Sequence, residues 1–183
     1  MLVVPPVEAY LALGANLGDR LGTLRWAVTH LASHPAIDVV ATSAVYESAA
    51  HTWEPGEVQP PYLNAVVHVR TSLSAEDLLT VLLDVEARAG RDRRAARPWA
   101  PRPLDLDLIV FGNLTRRTPG LTVPHPRLGE RRFVLQPLAD LTLNLHVPVP
   151  YDSTVRDLLA RCPDRGPLTR LPDPLVPHQP AGI

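Results

Sequence analysis

Tyr62-Leu-Asn-Ala-Val-Val-His-Val-Arg-Thr71 alternates with a period of two. Successive side chains of a strand point to opposite faces, so Leu63, Ala65, Val67 and Val69 share one face and Tyr62, Asn64, His68 and Arg70 the other. Just downstream, Ser74-Ala-Glu-Asp77 reads as a capping-box-like helix start. Leu78, Leu79, Leu82 and Val85 carry that helix forward, and Gly90 suits the residue that ends it. Upstream, residues 37–46 predict a strand, separated from Tyr62 by a polar, proline-rich stretch over 47–61. Further out, residues 7–14 predict a strand. Residues 18–34 predict a helix, with Leu21, Leu24, Val28 and Leu31 at three- and four-residue spacing and Asp19 in its first turn. On the other side, residues 104–111 alternate as a strand and stop at Gly112-Asn113.

The order is strand, helix, strand, strand, helix, strand. It matches the β-α-β-β-α-β ferredoxin-like plan. The fold class is therefore α+β, an antiparallel sheet with helices packed on it and extra C-terminal elements. Helical signals return over 127–140, interrupted by Pro137, and again over 155–162. One domain is expected over residues 7–165. Residues 166–183 read as a proline-rich, flexible tail.

The 183 residues amount to one domain. The share of hydrophobic residues, 45%, is ordinary for a globular chain. No apolar run is long enough for a membrane helix. The N-terminus lacks the basic and apolar regions of a secretory signal, so a cytoplasmic protein is expected. The single cysteine, Cys162, excludes an intramolecular disulfide framework and a cysteine-cluster zinc site.

All 18 basic side chains of the Lys+Arg class are arginines. That excludes a Schiff-base lysine and a Walker-type phosphate loop, which requires lysine. The formal net charge of −1 argues against a protein that coats nucleic acid. Yet Arg88, Arg91, Arg93, Arg94, Arg97 and Arg102 crowd one stretch, which suggests a discrete anionic ligand. Mutual repulsion should keep that stretch open until an anion arrives.

Asp105 and Asp107 alternate with Leu104, Leu106 and Leu108. On a strand the leucines and Val110 line the core, and the two carboxylates stand side by side on the opposite face, about 6.6–6.8 Å apart along the chain. Paired carboxylates need compensating charge. Neighbouring arginines supply it in one reading. A divalent cation does so in the other, and Mg²⁺ commonly uses one or two carboxylates plus substrate phosphates. Trp99 and Arg102 precede the pair, which adds a stacking surface and a charge clamp suited to a nucleotide. Tyr62 and Asn64 share a strand face, and Asn offers both donors and acceptor to a heterocycle edge.

Residues 12–19 (Ala-Leu-Gly-Ala-Asn-Leu-Gly-Asp), Tyr62-Leu-Asn-Ala65, Trp99-Ala-Pro-Arg-Pro-Leu-Asp-Leu-Asp107 and Thr122-Val-Pro-His125 through Arg131 and Phe133 occur in this order. Together they resemble the 6-hydroxymethyl-7,8-dihydropterin pyrophosphokinase family over about residues 8–162. The chain is too short to carry an aldolase or dihydropteroate synthase segment as well. The resemblance implies transfer of the terminal diphosphate of ATP to the pterin hydroxymethyl group, with release of AMP. It assigns Asp105 and Asp107 to two Mg²⁺ ions that arrive with ATP, and Arg91 and Arg102 to catalysis. Glu86, Arg93, Trp99, Arg102, His125 and Arg131 would serve the nucleotide. Ser48, Tyr62, Asn64, Trp99 and Phe133 would serve the pterin. A monomer with no nucleic-acid or membrane partner is expected. The alternatives are another Mg²⁺-dependent Asp-x-Asp transferase that uses nucleotides, and an RNA-binding module. The last is disfavoured by paired aspartates on a strand face and by missing exposed strand aromatics.

Overall fold

The computed structural model describes residues 5–52, 54, 56–92 and 100–176. The chain runs β1 (Val7–Ala15), α1 (Arg20–Ala32), β2 (Ile37–Thr42), β3 (Tyr46–Ser48), β4 (Tyr62–Thr71), α2 (Ala75–Arg88) and β5 (Asp105–Phe111). After these come the short strands β6 (Arg116–Arg117) and β7 (Thr122–Val123), a 3₁₀ turn at Leu128–Glu130, and α3 (Arg132–Leu141). The pair β8 (His146–Val147) and β9 (Ser153–Thr154), helix α4 (Val155–Arg161) and strand β10 (Leu168–Arg170) complete it.

Both early helices start where their side chains dictate. Asp19 Oδ1 accepts the Gly22 N–H at 2.9 Å, and Ser74 Oγ accepts the Asp77 N–H at 3.0 Å. Each bond satisfies a donor the first helical turn cannot satisfy internally. Gly90, at φ 88°, turns the chain out of α2 in a conformation that suits glycine.

The main sheet is antiparallel, in the order β10-β3-β4-β1-β5, with β2 also paired to β4. Its first four ferredoxin-like strands are thus arranged as the sequence order requires, except that the second is broken. β2 lies against the far half of β4 (Ile37 opposite Thr71) and β3 against its start (Ser48 opposite Tyr62). Ser43 makes the break. Its N–H donates to the Val66 carbonyl and its Oγ accepts the Val66 N–H, both at 2.9 Å. A hydroxyl therefore replaces a strand carbonyl, and the single strand expected over 37–46 becomes two.

One face of the sheet packs on α1 and α2 through Leu11, Leu13, Leu24, Leu31, Leu78, Leu82, Leu104 and Leu106. The other face packs on α3 and α4 through Val66, Ile109, Leu128, Leu135, Leu138, Val155 and Leu158. β5 serves both. Its pairing with β1 shifts register between Tyr10 and Leu11, so Leu11 faces Leu108 and Tyr10 faces Val110. The bulge sends Ile109 and Val110 together into the α3–α4 core and returns Phe111 to the first. Val110 therefore does not share the core of Leu104, Leu106 and Leu108 as the alternation implied. Helix α3 continues through Pro137, which is buried within it.

The flexible tail expected from residue 166 is corrected over its described part. Leu168–Arg170 pair with β3, the Leu171 N–H donates to the Val45 carbonyl at 2.8 Å, and Leu175 is buried in the first core. An otherwise open edge of β3 and two apolar side chains give this segment its place. Residues 177–183 lie outside the described residues. Among the described residues no helix is long and apolar enough to cross a membrane.

Candidate active site

Helices α3 and α4 cover one end of their sheet face. The other end, where β1 finishes and β4 and β5 begin, opens into a cavity of about 740 Å³. Gly14 sits at its floor, opposite Asn64 on β4 and Asp105 on β5. A Cβ at Gly14 would stand 3.5 Å from Tyr62 Cδ1 and 3.8 Å from both Asn64 Oδ1 and Asp105 Cβ. Glycine thus leaves a gap between Asn64 and Asp105 that any larger side chain would fill.

The carboxylates lie side by side as the strand period requires. Arg91 Nη1 reaches Asp105 at 2.5 Å and Arg102 Nη1 reaches it at 3.2 Å. Asp107 instead pairs with Arg131, from the start of α3, at 3.3 Å. Their environments push them apart. Burial raises the pKa of Asp105, but Arg102 and Arg91 outweigh it and hold the carboxyl below its ordinary value. Burial and then the Asp105 charge raise Asp107 to about 6, with Arg131 only partly compensating.

Glu86 stands behind the pair. It is 1% exposed on α2, where its position one turn after Leu82 carries it inward. Its Oε1 pairs with Arg91 and accepts the Leu106 N–H at 2.7 Å, so it fixes both an arginine and the backbone between the two aspartates.

His125 stands beside Asp107, next to the cavity. Its backbone N–H donates to the Ile109 carbonyl at 2.9 Å, and the Tyr151 hydroxyl donates to its carbonyl at 2.8 Å. Its Nδ1 accepts the Arg127 N–H at 3.1 Å, which assigns the remaining proton to Nε2. Burial and the Arg131 charge push the imidazole down to about 4. Its Nε2, 3.8 Å from Asp107, is therefore a neutral neighbour at pH 7 rather than an ion-pair partner.

On the β4 side, Asn64 is buried. Its Nδ2 donates to Ser48 Oγ at 2.9 Å and to the carbonyls of Tyr46 and Tyr62 at 3.3 and 3.4 Å. That leaves Oδ1, an acceptor, on the Gly14 side of the cavity. Tyr62 and Phe133 provide aromatic walls. Arg93 and Trp99, both expected at the nucleotide and Trp99 at the pterin too, lie outside the described residues, as does most of the stretch expected to close on an anion.

The remaining predicted side chains thus fall into one cavity or directly behind it. A family model described as 7,8-dihydro-6-hydroxymethylpterin-pyrophosphokinase (HPPK) matches residues 10–143, which include every residue lining the cavity. The chain belongs to this family. The 2-amino-4-hydroxy-6-hydroxymethyldihydropteridine pyrophosphokinase of Bacillus subtilis (strain 168) is 42% identical over 133 residues, 73% of this chain and 77% of that one. The enzyme of the same name from Methylorubrum extorquens is 40% identical over 159 residues, 87% of this chain and 96% of that one. Among solved structures, an HPPK-DHPS described as in complex with substrates has a TM-score of 0.66 at 13% identity. It covers 85% of this chain and 43% of its own. That likeness bears on the fold.

Sequence reasoning overlooked several lining residues, His51, Asp92 and Arg127 among them. His51 packs against Phe133, with ring centroids 5.6 Å apart, and Arg127 also borders the cavity. His51 sits in an aperiodic proline-rich stretch, where no local pattern marks a direction.

Proposed function

We propose that Arg91, Arg102 and Arg131 hold the phosphates of ATP around Asp105 and Asp107, whose carboxylates suit the accompanying Mg²⁺, while Asn64, Ser48, Tyr62 and Phe133 hold the pterin beside them. The activity of the chain is pyrophosphoryl transfer from ATP to hydroxymethyldihydropterin in folate biosynthesis. The observation that carries the residue assignments is the register at Gly14. It places Asn64 and Asp105 on strands either side of β1, about 9.5 Å apart by strand spacing, with no side chain between them. A flat heterocycle read at Asn64 can then extend its hydroxymethyl arm toward Asp105.

The hydroxymethyl oxygen attacks the β-phosphorus in line as its proton passes to solvent. The bond from that phosphorus to the oxygen shared with the α-phosphate breaks, and AMP leaves. Such transfers rest on positioning and charge stabilisation. Arg91, Arg102 and Arg131 line the cavity around the aspartates and supply forked donors for phosphate oxygens. Asn64 Oδ1 accepts from a ring N–H of the pterin, and the aromatic walls stack on its faces.

Asp105 and Asp107 also suit Mg²⁺. Among the described residues no group of three His, Cys, Asp or Glu side chains is placed to hold a metal. Two carboxylates without a third favour ions that bring phosphate oxygens with them, two of them with ATP. Bound there, Mg²⁺ would neutralise charge on the transferring diphosphate. Small soluble substrates support a cytoplasmic address.

AMP formation from ATP, Mg²⁺ and the reduced hydroxymethylpterin, followed by chromatography, tests the site. Asp105→Ala and Asp107→Ala should each slow turnover by at least ~10²-fold, as for loss of a principal electrostatic group. Asn64→Ala should weaken pterin binding by calorimetry while a non-hydrolysable ATP analogue binds as before. Near-parental turnover by either aspartate variant would remove the phosphate-site assignment. ADP as the product would favour a different nucleotide-using transferase.

A further inference from the structure

We infer that Asn16 is a positioning residue that ties the nucleotide side of the cavity to the pterin side, acting through Arg102 and Pro60. Asn16 follows the last residue of β1 and is 1% exposed. Its Oδ1 accepts the Arg102 N–H at 2.8 Å, and its own N–H donates to the Arg102 carbonyl at 3.2 Å. One residue thus grips both ends of Arg102. Its Nδ2 donates to the Pro60 carbonyl at 3.2 Å.

The prolines make this grip decisive. Arg102 stands between Pro101 and Pro103, neither of which has an N–H to donate. Arg102 carries the sole backbone donor of that tripeptide, and Asn16 takes it. Pro60 and Pro61 likewise contribute only carbonyls. Asn16 holds the first, and Arg20 Nη1 donates to the second at 2.7 Å. From Arg102 the guanidinium reaches Asp105, and from Pro60 the chain enters Tyr62 two residues on. Two proline-flanked segments, one behind each subsite, thus meet on one buried carboxamide, which adds to the direct hydrogen bond between Arg102 and Tyr62. The carboxamide of Asn presents an acceptor and two donors on one small planar group. Ala presents neither, and Asp keeps only the acceptor.

The inference rests on the reading that Arg102 acts on the ATP phosphates. The test compares AMP formation by Asn16→Ala, Arg102→Ala and the double variant, with thermal melts to establish folding. Asn16→Ala should lower kcat about tenfold, the scale of one lost hydrogen bond to a buried group. In the Arg102→Ala background the same change should cost less, leaving only the part that acts through Pro60, because residues acting through each other are not additive. Asn16→Asp keeps the bond to Arg102 and loses the one to Pro60. It should retain more of kcat than Asn16→Ala while weakening calorimetric pterin binding more than binding of the ATP analogue. An Asn16→Ala penalty undiminished by Arg102→Ala, or equal losses of kcat in the Ala and Asp variants, would overturn the inference. Arg102→Ala at the parental rate would overturn the reading of Arg102 first, and so separates the two failures.

Discussion

Asp107 and His125 sit 3.8 Å apart and answer pH in opposite senses. Asp107 titrates near 6 when folded, above its ordinary value, so the folded state holds the proton more tightly than the unfolded chain. Between its unfolded and folded values stability falls as pH rises. His125 titrates near 4 when folded, below its ordinary value, so the unfolded chain binds the proton first. Across nearly the same window its contribution rises with pH. The two slopes oppose each other, and each should be exposed by removing the other. In urea melts, Asp107→Asn should be more stable than the parent at pH 7, with the margin shrinking as pH falls toward 4. His125→Gln should match the parent at pH 7 and exceed it at pH 4.5. Parallel profiles for the two variants would show that neither group titrates as its surroundings dictate. The Asp105–Asp107 pair itself was legible from alternation alone. The distribution of partners was not, because Arg131 arrives from α3 and Glu86 from α2, and neither lies within a strand's reach in sequence.

At the scale of elements, the break between β2 and β3 shapes the Asn64 side of the cavity. It lets β3 lie opposite the start of β4, so Ser48 and the Tyr46 carbonyl meet Asn64. The strand over 62–71 was readable to the residue because its polar and apolar positions alternate and it ends in a helix cap. The break at Ser43 was not readable, since a serine after Thr42 in a run that goes on to Ala44 and Val45 looks like any solvent-facing position. Only the bond from Val66 reveals its use. The β5 bulge was hidden for the converse reason: Ile109-Val110-Phe111 is apolar throughout and carries no mark of which face each takes. Ser43→Ala leaves the Val66 N–H without its partner in a buried sheet. It should cost about 1–3 kcal/mol in denaturant melts, the penalty for an orphaned buried donor. A melt superimposable on the parent's would mean that a relaxed β2–β3 join satisfies that donor some other way.

At the scale of the whole molecule, the sheet is sandwiched unevenly, and the unevenness makes the site. α1 and α2 build one core, and α3 and α4 build a second that stops short and leaves Gly14, Asn64 and the aspartates open. Proline content made residues beyond 165 look detached, because composition reports local stiffness and cannot report an unpaired strand edge elsewhere. That edge belongs to β3, which needs a neighbour, and β10 supplies it. The segment is then held from two further directions. Arg25 Nη2 donates to the Pro174 carbonyl at 2.8 Å, and Leu175 enters the core beneath α1 and α2 at 1% exposure. A buried leucine that close to a chain terminus is either an anchor or an ornament, and truncating its side chain separates the two. Leu175→Ala should cost about 2–5 kcal/mol, as for other leucines removed from packed cores. Guanidinium melts would read it as a lower midpoint with an unchanged slope, since the same surface is still exposed on unfolding. Because β10 flanks the strand that carries Ser48, the variant should also bind pterin more weakly under conditions where it remains folded. A parental midpoint would return residues 166–176 to the status of a tail.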